Sequence, residues 1–292
     1  MEPAAGVLPK RSPLKMSLTP PKIDKDIERH YREAKESQRL SAGRGELERL
    51  RTQAILARHL PPAPATIYDI GGAAGVYAFP LASQGYAVHL IDPVELHLDQ
   101  AKAYARSSGI SLQSISRGDA RHLDVPSGAA DAVLLLGPLY HLVEHSDRLQ
   151  ALREADRILK PHGVLFAAAI SRFASLIDGF ATGFFPEAEF RKIVAADLAS
   201  GQHRNATNNP FYFTTAYFHR PEELAEEVRS AGFEDVETLA VEGPVWSSAR
   251  FLDVWNDPAL RENLLQFLSQ IEREPSVKGA SAHLIALAPR PA

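Results

Sequence analysis

The sequence predicts an α/β protein built on a doubly wound, parallel sheet. Three observations carry that reading. From Thr66 onward, short apolar runs alternate with helix-like ones. Those runs are almost purely apolar, which suits strands covered by helices on both faces. The first of them, in "TIYDIGGAAGVYAFPLA" (66–82), passes through three glycines into a helix-like segment, an arrangement that points backbone N–H groups at a small ligand.

The elements follow in order. Residues 1–22 are rich in Pro and Lys and hold no apolar run, so a frayed tail is expected. From Asp24 to about Leu60, charged residues separate Ile27, Tyr31, Leu40, Leu47, Leu50, Ile55 and Leu56, with a break at "SAGRG" (41–45); residues 23–62 are predicted to form a helical lid. Residues 63–292 are read as the main domain. Its strands are predicted at Thr66–Ile70, Ala87–Ile91, Leu112–Arg117, Ala132–Leu136 and Val164–Ile170, with helices from Val76, from Val94 and over Ser146–Leu159. The rhythm lapses at about 171–220, a Phe-rich stretch containing "GQHRNATNNP", which reads as a cap insertion with short helices and not as another strand–helix unit. Order returns with a helix from Pro221 to Ala231, opened by Pro and followed by Gly232. A strand Val236–Val241, helices around Ser248–Ile271 and a last strand His283–Ala288 complete the chain.

Composition narrows the function. With 32 Lys and Arg against 36 Asp and Glu the net charge is −4, and no dense basic stripe calls for nucleic acid or a membrane surface. A small molecule is the expected partner. The absence of cysteine excludes disulfides, thiolate metal sites and thiol nucleophiles, and fits a reducing compartment. No run reaches membrane-spanning length and none resembles a signal-peptide core, so a soluble, cytoplasmic protein is expected.

Gly71, Gly72 and Gly75 let main chain approach a ligand without Cβ clashes. Asp92 ends the next strand, "AVHLID", about twenty residues on, where a carboxylate accepts hydrogen bonds from both ribose hydroxyls. An adenosine-bearing cofactor follows, and a nicotinamide dinucleotide and S-adenosylmethionine both meet the description. Asp69, just before the turn, would repel a pyrophosphate and suits an ammonium, which favours the amino-acid-bearing ligand.

At these residues the chain resembles the class I, seven-stranded Rossmann-like S-adenosylmethionine-dependent methyltransferases, of the type 11/25 kind, over roughly residues 25–290. "DIGGAAG" is similar to the family's D-x-G-x-G-x-G, "LIDP" to its ribose-binding strand end, and "GDARHLDVP" to its adenine-side motif. "DAVLLLGPLYHL" with "ALREADRILKPHGVLF" resembles the fourth and fifth strands and the helix between them. The resemblance implies seven strands with the last antiparallel, S-adenosylmethionine as cofactor and S-adenosylhomocysteine as product. It further implies that Asp69, Gly71, Gly72, Ala73 and Gly75 hold the methionine part, and that Asp92 and Pro93 meet the ribose. Asp119 and Ala120 then take the adenine, and Leu136 and Gly137 form the wall under the sulfonium. One position departs from the pattern: Ala73 stands where the motif's middle glycine is usual.

The expected reaction is in-line methyl transfer to an O, N or C atom of a small molecule. The alternatives are an NAD(P)-dependent oxidoreductase on a similar sheet and a non-catalytic S-adenosylmethionine-binding protein. His141, at the carboxyl edge after the fourth strand, is the candidate proton acceptor, with Tyr140 beside it. Tyr31, Arg172, Phe173, Tyr217 and Trp246 are the candidates for substrate contact, and Arg39 for the cofactor carboxylate. "HLVEH" (141–145) fits the zinc motif H-x-x-E-H. That motif needs one helical run, whereas Gly137 and Pro138 lie just upstream, so no metal site is expected.

Overall fold

The computed structural model describes residues 39–292 except residue 208. Tyr31, the tail 1–22 and the first part of the predicted lid lie outside the described residues. The chain begins its described course at Arg39 and Leu40 and enters helix α1 (Gly43–His59), which buries Leu47, Arg51, Ile55 and Leu56 along one face. The helix starts inside the "SAGRG" break.

The sheet carries the architecture. Strands β1 (Thr66–Ile70), β2 (Ala87–Asp92), β3 (Ser114–Arg117), β4 (Ala130–Leu135) and β5 (Leu159–Ser171) are joined by α2 (Ala78–Ser83), α3 (Glu95–Ser108), α4 (Pro138–His141) and α5 (His145–Ile158). After β5 come α6 (Ala174–Thr182), α7 (Ala188–Ser200), β6 (Gln202–His203), β7 (Ala216–His219) and α8 (Pro221–Ser230). The chain ends through β8 (Glu237–Ala240), α9 (Phe251–Trp255), α10 (Pro258–Ile271), α11 (Pro275–Lys278) and β9 (His283–Pro289).

Strands β3, β2, β1, β4 and β5 lie side by side and parallel. β9 is antiparallel to β5 and to β8 beyond it, so the order β3-β2-β1-β4-β5-β9-β8 has one reversed strand. Period-two alternation divides the core between the two faces. Ile70, Val133, Leu135, Leu165, Ala167 and Ala169 pack with α5 and α8, while Ile67, Leu134, Phe166, Ala168 and Ile285 pack with α1, α2 and α3.

The sheet has nine strands, not the seven expected. The surplus pair comes from the 171–220 stretch, for a geometric reason. β4 pairs with β5 only as far as Ala167, leaving the rest of that β5 edge open, and β7 pairs there through Phe218 and His219 with Ile170 and Ser171. β6 adds antiparallel to β7. The stretch thus ends in a short parallel strand feeding α8, which corrects the reading that it is not another strand–helix unit. Its helices are pinned by a buried carboxylate, Asp197, which accepts from Ser175 Oγ at 2.6 Å and contacts His203 Nδ1 at 2.9 Å. Among the described residues no helix is long and apolar enough to cross a membrane.

Candidate active site

The parallel strands end at one edge, and their connecting loops open a cavity of about 370 Å³ there. The β1 turn supplies its floor. Gly71 sits at φ +68°, and a Cβ there would stand 2.7 Å from Pro138 of the β4 loop. At Gly72 a Cβ would fall 2.5 Å from an Asp69 oxygen and 2.4 Å from Leu90, so the turn and the strands below it close only around glycine. Ala73 takes φ +48°, a left-handed conformation that disfavours a side chain. Ala73→Gly is therefore expected to stabilise the protein by about 0.5–1 kcal/mol, read as a rise in the urea midpoint. No gain would mean that the turn relieves the strain elsewhere.

Asp69 is wholly buried, and among the described residues its oxygens make no well-formed hydrogen bond, the Ala78 N–H being the one donor that bears on them. Burial first, and the Asp92 carboxylate second, push its pKa up to about 7, with the Ala78 N–H pulling the other way. Asp92 is buried too, but is satisfied: it accepts the N–H of Ala73 and of Val94 at 2.9 Å each, and His97 Nδ1 lies 3.0 Å away. It thereby ties the glycine turn to the end of β2. Asp119, after β3, is gripped by Arg121 at 2.6 Å, and Arg121 reaches on to Asp147 of α5 at 2.7 Å. Burial acts to raise the Asp119 pKa, yet the Arg121 guanidinium holds it below the usual carboxylate range.

The cavity wall gathers Asp69, Gly71, Gly72, Ala73, Asp92, Pro93, Asp119, Ala120, Leu136 and Gly137, with Tyr140 and His141 from α4. Gly75, at φ +88°, packs on the Phe79 ring and is not on the wall. The sequence reading of substrate contacts fares differently. Arg172 is buried and bound to the Phe218 carbonyl at 2.7 Å and to Glu223 at 2.5 Å. Tyr217 is held between two guanidiniums, 3.6 Å from that of Arg148 and 5.6 Å from that of Arg172. Phe173 packs on Gly279, and Trp246 sits in a side cluster with Leu47, Phe251 and Trp255, its Nε1 donating to Ala280. None of these four reaches the wall. "HLVEH" is split as expected: His141 closes α4, His145 opens α5, and the residues between them are not helical.

What the sequence reading missed is the far end of the cavity. Glu48 and Thr52 of α1, Val241 just after β8, His283 and Ile285 of β9, and Arg204 and Thr215 of the 171–220 stretch line it, with Arg39 paired to Glu48. No motif marks them; only the antiparallel register of β9 brings His283 to this edge.

Comparison with known proteins fits this geometry. A family model described as a methyltransferase domain matches residues 67–163. A ubiquinone biosynthesis O-methyltransferase of Methylobacterium sp. (strain 4-46) is 30% identical over 201 residues, which cover 65% of this chain and 70% of the relative. One of the same name from Methylobacterium nodulans is also 30% identical, over 63% of this chain and 66% of its own length. Among solved structures, an S-adenosylmethionine-dependent methyltransferase from Thermotoga maritima aligns with a TM-score of 0.55 at 22% identity, covering 90% of this chain and 98% of that one. A Pyrococcus horikoshii protein gives 0.56 at 15% identity with the same coverage. At those identities the two structures share the fold.

Proposed function

This chain belongs to the class I S-adenosylmethionine-dependent methyltransferases, and from that premise we propose that it methylates an oxygen of a small, hydroxylated, partly aromatic acceptor. The observation that carries the reading is the continuity of one cavity from Asp92 and Asp119, past Asp69 and Gly137, to α1 and β9. One end suits an adenosyl amino acid and the other is left for an acceptor. The names of the relatives support oxygen as the acceptor atom.

The residues fit the cofactor. The buried Asp69 carboxylate under a backbone cradle suits an ammonium, and the cradle admits no Cβ at Gly71 or Gly72. On this reading Asp92 and Pro93 meet the ribose, Asp119 and Ala120 the adenine, and Leu136 and Gly137 the wall beside sulfur. Tyr140 and His141 flank the point of transfer, with α1 as a lid and the 171–220 stretch as a cap. S-adenosylmethionine supplies an electrophilic methyl group, and the protein's task is to hold an acceptor in near-attack geometry and exclude water.

Calorimetric titration with S-adenosylhomocysteine, S-adenosylmethionine and NADH tests this. Micromolar binding of the adenosyl ligands alone is expected, and binding of NADH alone would overturn it. The Asp69 assignment adds a pH signature. A ligand ammonium favours the ionised carboxylate, so affinity is expected to rise with pH up to about 7 and then level off. A flat profile between pH 5.5 and 7 would remove Asp69 from the ammonium site.

A further inference from the structure

Three side chains from distant parts of the chain meet at the acceptor end. Because β9 runs antiparallel to β5, its first residue, His283, pairs with Ile170 at the edge where the parallel strands end. Glu242, just past β8, is buried behind the wall and accepts the His283 backbone N–H at 2.9 Å and Ser281 Oγ at 2.8 Å. His283 Nδ1 lies 2.6 Å from the same carboxylate and 3.8 Å from Glu48 Oε2 of α1, the oxygen that Arg39 also meets at 2.5 Å. Nδ1 is thus committed to the protein, and Nε2 is the ring nitrogen left for the cavity.

On the methyltransferase reading above, we propose that His283 is a catalytic residue that donates Nε2–H to the acceptor oxygen and holds it as an anion. The acceptor is then an acidic hydroxyl, phenolic or enolic, and an aliphatic alcohol is excluded. Glu48 and Glu242 are positioning residues that keep the ring oriented and charged. The groups facing the ring from the packed elements are Glu48 and Arg39 on the α1 side and Glu242 after β8, with Tyr77 of the glycine turn next to Glu48. Burial acts to lower the imidazole pKa, but the two carboxylates outweigh it and raise it to about 9, so the ring is an imidazolium at neutral pH.

The chemistry balances without a base in the transfer step. The acceptor loses its proton to solvent on binding. Its oxygen lone pair then forms the C–O bond, the C–S pair stays with sulfur, and the proton remains on Nε2. With the acceptor already ionised, the proton-accepting role foreseen for His141 is not needed in this step. The Nδ1 atom of His141 is buried and its ring packs edge-on to Tyr140 at 4.7 Å.

The probe is 4-nitrocatechol, whose colour reports its ionisation, added to the full chain saturated with S-adenosylhomocysteine. Bound to the native protein it is expected to ionise about one pH unit or more below the free probe, a tenfold shift. His283→Gln is expected to erase that displacement while S-adenosylhomocysteine affinity stays within about twofold. Glu48→Gln is expected to shrink it and to lower the His283 pKa followed by NMR, which decides the matter if His283→Gln does not fold. A displacement that survives His283→Gln, a probe bound neutral, or no binding of the probe overturns the proposal. So does a displacement lost with EDTA and restored by magnesium, which would place a cation among the same side chains. Failure of S-adenosylhomocysteine to bind the native protein is a separate result: it strikes the methyltransferase site itself, and this proposal falls with it.

Discussion

Asp92→Ala is expected to abolish S-adenosylhomocysteine binding, a loss of more than about 100-fold, or about 2.8 kcal/mol, in a calorimetric titration. Two effects add. The carboxylate proposed to meet the ribose is gone, and so is the acceptor that ties the Ala73 and Val94 N–H groups to the end of β2. Each of those donors, left without an acceptor in a part-buried site, costs about 1–3 kcal/mol. Thermal unfolding is therefore expected to fall as well, by about 2–4 °C for each kcal/mol. Unchanged affinity in a variant that still folds would take Asp92 out of the cofactor site.

Arg148→Met is expected to destabilise the protein by about 3–5 kcal/mol in urea at pH 7, because it strands a buried carboxylate. Arg148 of α5 holds Glu227 of α8 at 2.6 Å and also donates to the Leu142 and Val143 carbonyls at 2.9 and 2.7 Å. Glu227 is further bound by His219 at 3.2 Å. Burial acts to raise the Glu227 pKa, but the His219 and Arg148 bonds outweigh it and lower it from 4.5 to about 2. A depressed carboxylate pKa contributes stability that is complete above 4.5 and is lost as pH falls through about 2. The native protein is therefore expected to lose this contribution across that window, while Arg148→Met shows a flatter acid profile. Arg148→Met with Glu227→Leu is expected to recover most of the loss, since it removes both buried charges. Equal instability of the single and double variants would show that packing of the arginine against Tyr217, and not the charge pair, is what matters.

The end of the cavity proposed for the cofactor was legible because parallel strands bring successive strand ends together in chain order. Asp69, Asp92 and Gly137 each lie at the end of an apolar run that can be recognised by itself, Asp119 follows a polar strand and was marked by its motif alone, and the fold sets all four along one edge. The end proposed for the acceptor was not legible because its residues come from elements with no common signal. Glu48 reads as one more charge on a helix face, and His283 reaches the edge only through the reversed direction of β9. β6 and β7 are too short for a period to show, and their pairing depends on a β5 edge left open by β4. Tyr217 and Trp246 drew attention as aromatics, yet in the structure they hold guanidiniums and fill a side cluster, which aromatic rings do as readily as they bind ligands.

The reversed strand also sets an order of assembly. β9 lies between β5 and β8, although both precede it in the chain, and its pairings reach from Pro289 back to Val164. Until it inserts, β5 and β8 each show an open apolar edge, and long-range pairings of this kind are the ones that slow folding and expose strands to aggregation. Strands β1 to β4 can pair without it, and with them the cofactor loops. His283 arrives only with β9, so a chain caught before that step has the cofactor end but lacks the group proposed to hold an acceptor. On the proposed role of His283, completion of the sheet is also the event that completes the acceptor end of the cavity.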